Sequence, residues 1–303
     1  TRLLDGFQSR LLDAYGTQVI HQAWKPVTVF LNGKYWGHMN LRERVDRFFI
    51  AQFEGLSLDQ ADEMDILEAN GTVNFGSNKA YRAMLKKIKA GSPATNPDDL
   101  QYILDNVDVD NLFEYMALEM FVGNSDIGNI RYYRLHQEGS KWKWIWYDAD
   151  YGLYSSKFNS PWSYLKVKGM GEQKIDNTIF LKLLEHPDYK RKFLEKLADV
   201  YKTFTTEYMT QVLDGVVAEI QPEMKNHWER WGELNDKAVT SEVPTTIDGA
   251  YTYWESRVNR LYNTLKVRPH RLWDFIKDEF KLTKTEMEEL FGPQPDYPDD
   301  AVL

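Results

Sequence analysis

The sequence predicts an α+β fold, with two β-hairpins in its front half and helices filling the back half. Three observations carry this expectation. Asn32-Gly33 stands between the β-branched and aromatic run Val27 to Leu31 and a second run, Lys34 to Leu41. A type I′ turn needs positive φ at both central residues, which Asn and Gly tolerate best. Glu138-Gly139 stands in the same way between Ile130 to His136 and Lys141 to Asp150. From Asn177 onward, Leu181, Leu184, Phe193, Leu197 and Val200 recur at helical spacing, and Pro187, Pro222 and Pro269 are expected to punctuate a series of helices.

In chain order, Leu3 to Leu12 reads as an amphipathic helix ahead of the first hairpin, and Val45 to Phe53 as a helix after it. Ile66-Leu67 is expected as a short strand entering an Asn70-Gly71 turn. Ser77 can cap a helix that runs to about Ala90 and stops at Gly91. Pro97 starts another helix. Asp108 caps a longer one, with Leu112, Tyr115, Met116, Leu118, Glu119 and Phe121 along it and Gly123 at its end. The loop Asn124 to Asn129 then leads into the second hairpin. Pro293 to Asp300 is rich in Pro and Asp without periodicity, so residues 291–303 are expected as a linker or disordered tail.

Composition narrows the function. With 303 residues the chain suits two domains of roughly 150 residues or one larger one. Its 37 basic and 46 acidic residues give a net charge of −9, the wrong sign for a dedicated nucleic-acid binder. No apolar run approaches the roughly 18 residues needed to span a membrane. The absence of cysteine excludes thiolate catalysis, cysteine zinc sites and disulfides. The histidines, at 21, 38, 136, 186, 227 and 270, form no H-x-H or H-E-x-x-H pair. Gly123 to Ile127 begins like a nucleophile elbow, but Ile127 stands where that turn needs Gly. There is no Walker A sequence and no G-x-G-x-x-G. Asp59, Asp62, Glu63 and Asp65 lack the spacing and the Gly of an EF-hand loop, and that acidic stretch reads as a solvated loop.

The strongest chemical candidate is a pair of segments flanking the second hairpin. Gly123-Asn124-Ser125-Asp126-Ile127-Gly128-Asn129 enters its first strand, and Trp144 to Gly152 ends its second. The hairpin folds the chain back, so Asp126 and Asn129 should lie within reach of Asp148 and Asp150. Strand alternation is expected to set Asp148 and Asp150 on the face carrying Trp142, Trp144 and Trp146. Several carboxylates and an amide suit a hard, oxygen-preferring cation such as Mg²⁺, or a base for a hydroxyl nucleophile. The layout is similar to the eukaryotic kinase arrangement of a catalytic Asp, a downstream Asn and a metal-binding Asp near a Gly. The plainer alternative is a set of turn and capping residues at hairpin ends. The three tryptophans fit a buried inner face, which is favoured, or a sugar-stacking platform.

Three segments in order resemble the spore coat protein H (CotH) kinases. They are Val29-Phe30-Leu31-Asn32-Gly33-Lys34-Tyr35-Trp36-Gly37 with Asn40-Leu41-Arg42-Glu43-Arg44-Val45-Asp46, then Gly123 to Asp126 with Arg131-Tyr132-Tyr133, then Trp144 to Gly152. The resemblance implies a protein-kinase-like fold with a reduced β-rich N-lobe, about residues 1–75, and a mostly helical C-lobe, about 76–290. The family's further β structure upstream implies that this domain is N-terminally truncated. The implied activity is transfer of the ATP γ-phosphoryl group to Ser or Thr hydroxyls of secreted, surface or spore-coat proteins, with Mg²⁺ or Mn²⁺. By the same resemblance Asp126 is the catalytic Asp, Asn129 and Asp148 bind metal with Asp150 as runner-up, and Arg42, Glu43 and Arg44 help order the nucleotide phosphates. Structural pairing of Arg42 or Arg44 with nearby carboxylates is the alternative for that segment. Asp126 and Asn129 are three positions apart, against four or five in kinases. A catalytically impaired binding or scaffold module of a larger extracellular protein is therefore the alternative function.

Overall fold

A computed structural model describes residues 3–167, 169, 174–231 and 246–299. Helix α1 (Leu4–Tyr15) buries Phe7, Leu11 and Leu12 and ends at Gly16 in the left-handed conformation. A two-residue strand, β1 (Ile20–His21), precedes the first hairpin, β2 (Trp24–Leu31) and β3 (Lys34–Arg42). Its turn has φ of 50° at Asn32 and 78° at Gly33, the pair of positive values that the Asn-Gly signal predicts. Helix α2 (Arg47–Phe53) starts where the Asp46 carboxylate accepts from the amides of Phe48 and Phe49.

Strand β4 (Met64–Glu68) turns through Ala69 to Gly71 into β5 (Thr72–Phe75), a strand that sequence reasoning missed. Helices α3 (Lys79–Ala90) and α4 (Pro97–Asn106) follow. Ser77 does contribute at the start of α3, where its hydroxyl accepts from the Lys79 amide at 3.2 Å, but Asn78 holds the capping position. Helix α5 (Val109–Val122) is capped by Asp108 as expected and stops at Gly123, φ 67°. Every residue of α5 except Asp110 is buried, so this helix is the axis of the molecule rather than a surface element.

Strands β6 (Arg131–Leu135) and β7 (Lys143–Trp146) form the second hairpin. They join β1, β4 and β5 in one sheet of order β1-β7-β6-β4-β5, in which only the β1–β7 pairing is parallel. The sheet thus takes strands from both sides of residue 75. Its two faces serve two cores. Leu67, Tyr132, Trp144 and Trp146 pack toward α5 and the helical core, while Ile66, Tyr133, Leu135 and Ile145 pack with Phe49 and Ile50 of α2. Trp142, Trp144 and Trp146 are all buried, so the inner-face reading holds and no sugar platform exists on that strand.

Helices α6 (Ser160–Lys166), α7 (Thr178–Leu184), α8 (Pro187–Thr203), α9 (Thr206–Trp231), α10 (Ile247–Phe280) and α11 (Lys284–Phe291) complete an α+β chain with eleven helices among the described residues. Pro187 opens α8, as proline at the first turn should. Pro222 and Pro269 instead lie inside α9 and α10, contrary to the expectation that they punctuate helices. At Pro269 the reason is visible. The missing amide orphans the Leu265 carbonyl four residues back, and the Thr206 hydroxyl donates to that carbonyl at 3.3 Å. Beyond α11, the segment expected as linker or tail touches α10. The Trp273 indole donates to the Gly292 carbonyl at 3.1 Å, and the His270 ring meets the Pro295 carbonyl at 2.6 Å. Residues 300–303 lie outside the described residues.

Candidate active site

Two loops meet beside the C-terminal end of α5. The first, residues 124–129, is a compact turn. The Asn124 side-chain oxygen accepts from the Asp126 amide at 3.1 Å, and the Asn129 amide donates to the Asp126 carbonyl at 3.1 Å. Ile127 points inward and is fully buried, which leaves Asp126 and Asn129 half-buried on the open side. The second loop, residues 147–153, is reached when β7 ends at Trp146. Asp148 takes φ of 51°, so the chain leaves the pleat there. Asp148 and Asp150 therefore do not share the tryptophan face by strand alternation. A turn, rather than the period of a strand, aims them at the first loop. The Asn129 amide nitrogen donates to Asp148 Oδ2 at 2.5 Å, which joins the loops directly.

The second loop is held from behind. Gln8 of α1, almost fully buried, donates to the carbonyls of Ala149 at 2.6 Å and Gly152 at 3.1 Å. The Leu153 amide donates to the Val122 carbonyl at 2.6 Å. A Cβ on Gly152 would stand 2.8 Å from Gln8 Oε1 and 2.9 Å from Val122 Cγ2, so only glycine lets α1 and α5 clamp the loop this closely.

The charges converge with the geometry. Burial, and then the charges of Asp148 and Asp126, push the Asp150 carboxyl above the usual carboxylate range, with Arg42 acting in the opposite direction. Burial lowers the Arg42 guanidinium, while the charges of Asp148, Asp150 and Tyr147 raise it. Arg42 also pairs with Asp5 of α1, so this cation is shared between a structural partner and the site. The other two residues of its segment do different work. Glu43 braces the backbone, accepting from the Ala23 amide at 2.8 Å on its carboxylate and from the Gln22 side chain on its carbonyl. The Arg44 side chain is 90% exposed and stands 3.9 Å from Asp46. The structure thus brings Asp126, Asn129, Asp148, Asp150 and Arg42 together, and leaves Glu43 and Arg44 at the rim. An open cleft of about 820 Å³ begins at Arg42 and Glu43 and runs along Trp24, Lys25, Pro26 and Arg10.

Sequence reasoning missed the groups that position the first loop. Glu119, in the last turn of α5, is buried and accepts from the Tyr164 hydroxyl at 2.7 Å, with Tyr115 and Asn124 turned toward it. Its carboxyl is raised to about 7, by burial first and also by the charge of Asp126, against the lowering effect of these donors. Arg268 of α10 is fully buried and, among the described residues, faces no carboxylate. It donates to the carbonyls of Phe121 at 2.9 Å, Met120 at 2.8 Å and Phe158 at 2.7 Å. Those first two carbonyls belong to the C-terminal end of α5, where a cation is favoured by the helix dipole. Burial alone lowers this guanidinium to about 9. Asn124 was legible as an Asn-x-Asp turn; Arg268, some 147 residues from Phe121, carried no local signal.

The donor set fits a hard cation. Every candidate ligand offers oxygen, and burial together with the charges of Asp148 and Asp126 makes the Asp150 carboxylate costlier to ionise. Among the described residues no group of three or more His, Asp or Glu side chains is placed to hold a metal ion. A Mg²⁺ ion needs only one or two protein carboxylates, with water or phosphate at the remaining positions, and Asn129 and Asp148 are the residues that would hold it.

The fold and the site define an α+β protein whose paired loops form an oxygen-only, carboxylate-rich centre beneath an arginine. Residues 1–272 match the family described as CotH kinase protein, and the chain belongs to that family. A search of curated proteins finds no match. No helix among the described residues is long and apolar enough to cross a membrane.

Proposed function

We propose that the chain is a protein kinase of the CotH type, moving the γ-phosphoryl group of ATP to Ser or Thr hydroxyls of secreted, surface or spore-coat proteins. The observation that carries this reading is the convergence of Asp126, Asn129, Asp148 and Asp150 from two loops in a chain of this family. In this reading the front strands and the helical part act as the reduced N-lobe and the C-lobe of a kinase. Asp126, its backbone fixed by Asn124, orients the acceptor hydroxyl and accepts its proton. Asn129 and Asp148 hold Mg²⁺ or Mn²⁺, with Asp150 beside them. The bound cation supplies neutralisation of the phosphate charge. Arg42 adds positive charge at the mouth of the cleft, and the exposed Arg44 is available to the outer phosphates.

The test is transfer of labelled phosphate from ATP to a Ser-rich protein or peptide. Asp126→Ala is expected to reduce transfer by at least about a thousandfold, as removal of a proton acceptor and positioning group does, with an unchanged unfolding midpoint. Turnover retained in that variant would overturn the assignment. One observation favours the second reading, a nucleotide-free scaffold. Asn129 already spends its amide nitrogen on Asp148, across an Asp-to-Asn spacing of three. Calorimetric titration with Mg-ATP separates the two, since a scaffold gives no heat.

A further inference from the structure

On another part of the surface, the loop after the candidate site faces α10 across a polar cleft of about 620 Å³. Ser155, Ser156 and Lys157 form one wall, and Asn259, Arg260 and Asn263 the other. No lining residue is acidic, although the chain as a whole carries a net charge of −9. Asp126, Asn129 and Asp148 are not among its walls.

The cations here are arranged against their own repulsion. Arg257, beside the cleft rather than in its wall, and Arg260 stand one turn apart on α10, close enough for their like charges to repel. Both guanidinium groups nonetheless lie over the ring of Tyr154, at 5.8 and 5.2 Å from its centre. Lys157 approaches from the opposing loop. Among the described residues, none of the three has a carboxylate within ion-pair distance. Elsewhere the chain pairs its basic side chains readily, as Lys89 with Asp176 and Arg47 with Asp62 show.

A ligand that repays this arrangement is an anion with several acceptor oxygens. The fork of Arg260 and the ammonium of Lys157 supply charge. The amide of Asn259 and the hydroxyl groups of the serines supply neutral donors. That is more donors than the two oxygens of a carboxylate can use, and it matches the three terminal oxygens of a phosphate monoester. We propose that this cleft is a phosphoryl-binding site, whose ligand is the phosphoseryl side chain of a peptide or the free phosphate ion. The site stands on these residues alone and does not depend on the phosphotransfer reading.

The test is isothermal titration of the whole chain, without nucleotide or magnesium, with three probes. These are a Gly-Gly-phosphoSer-Gly-Gly peptide, its unphosphorylated form, and inorganic phosphate. The phosphopeptide is expected to bind and the unphosphorylated peptide to give no heat. Arg260→Gln should weaken binding at least tenfold, and Arg260→Gln with Lys157→Gln should abolish it. Lys225→Gln, exposed on α9, should leave it unchanged. The unfolding midpoint without ligand should be the same in all variants, because the replaced side chains are exposed. Tighter binding of the phosphopeptide than of inorganic phosphate assigns the site to the peptide, and equal binding assigns it to the free ion. No binding by either phosphorylated probe, equal binding of the unphosphorylated peptide, or undiminished affinity in the double variant would overturn the proposal.

Discussion

Glu119 concentrates the energetic tension of the site in one side chain. Its carboxyl is fully buried at the end of α5, and one of its oxygens, Oε1, has no hydrogen-bond partner among the described residues. Burial raises it from 4.5 to about 7, so the folded protein keeps a proton there that the unfolded chain releases. Stability from this group is fully present below about 4.5 and is lost as pH rises to about 7. The loss is on the order of 3 kcal/mol, since a tenfold change in acidity between the folded and unfolded states corresponds to about 1.4 kcal/mol. Glu119→Gln keeps the size and the acceptor oxygen but cannot ionise. Urea unfolding should therefore show the variant gaining stability relative to the parent by about 3 kcal/mol between pH 4.5 and pH 8. A constant difference across that range would refute the burial account. The same residue shows where sequence reasoning stops. Asp126, Asn129, Asp148 and Asp150 could be brought together from the sequence because one short hairpin connects them. Glu119, Gln8, Asp5 and Arg268 reach the site through packing of distant elements, as in the 141-residue separation between Gln8 and Ala149, and no local pattern records such contacts.

Among elements, the first hairpin depends most on a single glycine. β3 lies against α9, where the Trp231 indole donates to the Trp36 carbonyl at 2.6 Å and His227 Nδ1 accepts from the His38 amide at 3.2 Å. Gly37, between them, has φ of 123°, and a Cβ there would stand 2.8 Å from Trp231 Nε1 and 3.0 Å from His227 Nδ1. Gly37→Ala therefore adds a disfavoured conformation to a steric clash, and should cost about 2 kcal/mol or more. The loss should appear as a lower urea midpoint, together with faster hydrogen exchange at the His38 amide. A variant within about 0.5 kcal/mol of the parent, the range of a neutral surface change, would show that the hairpin docks some other way. The hairpin itself was legible, because Asn32-Gly33 specifies a turn locally. So were the capped helices α4 and α5, whose Asn96, Pro97 and Asp108 act within their own first turn. Strand β5 was not, since Thr72–Phe75 is mostly exposed and gains its strand character only from pairing with β4. The continuity of α10 through Pro269 was hidden for the same reason, as its compensating donor, Thr206, belongs to another helix.

At the scale of the whole molecule, the charge that matters is local. The net value of −9 would by itself only attract cations diffusely to the surface, and salt screens such a field over about 8–10 Å. The site differs because burial, and then the nearby charges of Asp148 and Asp126, lift Asp150 above its normal range. Those carboxylates sit where α1, β3, α5 and β7 meet, through Gln8, Arg42, Val122 and Trp146. A cation bound there would tie four elements together, so its binding should register as global stability rather than local order. Magnesium at ten times its dissociation constant should add about 1.4 kcal/mol to unfolding of the parent chain, by mass action. Asp148→Asn removes a ligand oxygen's charge while relieving the repulsion on Asp150, so this variant should lose the magnesium-dependent rise without losing stability in its absence. Asp59→Asn and Asp62→Asn, which lie in the exposed acidic loop, should keep the full rise. Thermal unfolding with and without magnesium, at constant ionic strength, separates the outcomes. An equal rise in Asp148→Asn would place the cation elsewhere and break the link between this carboxylate and metal-assisted phosphoryl transfer.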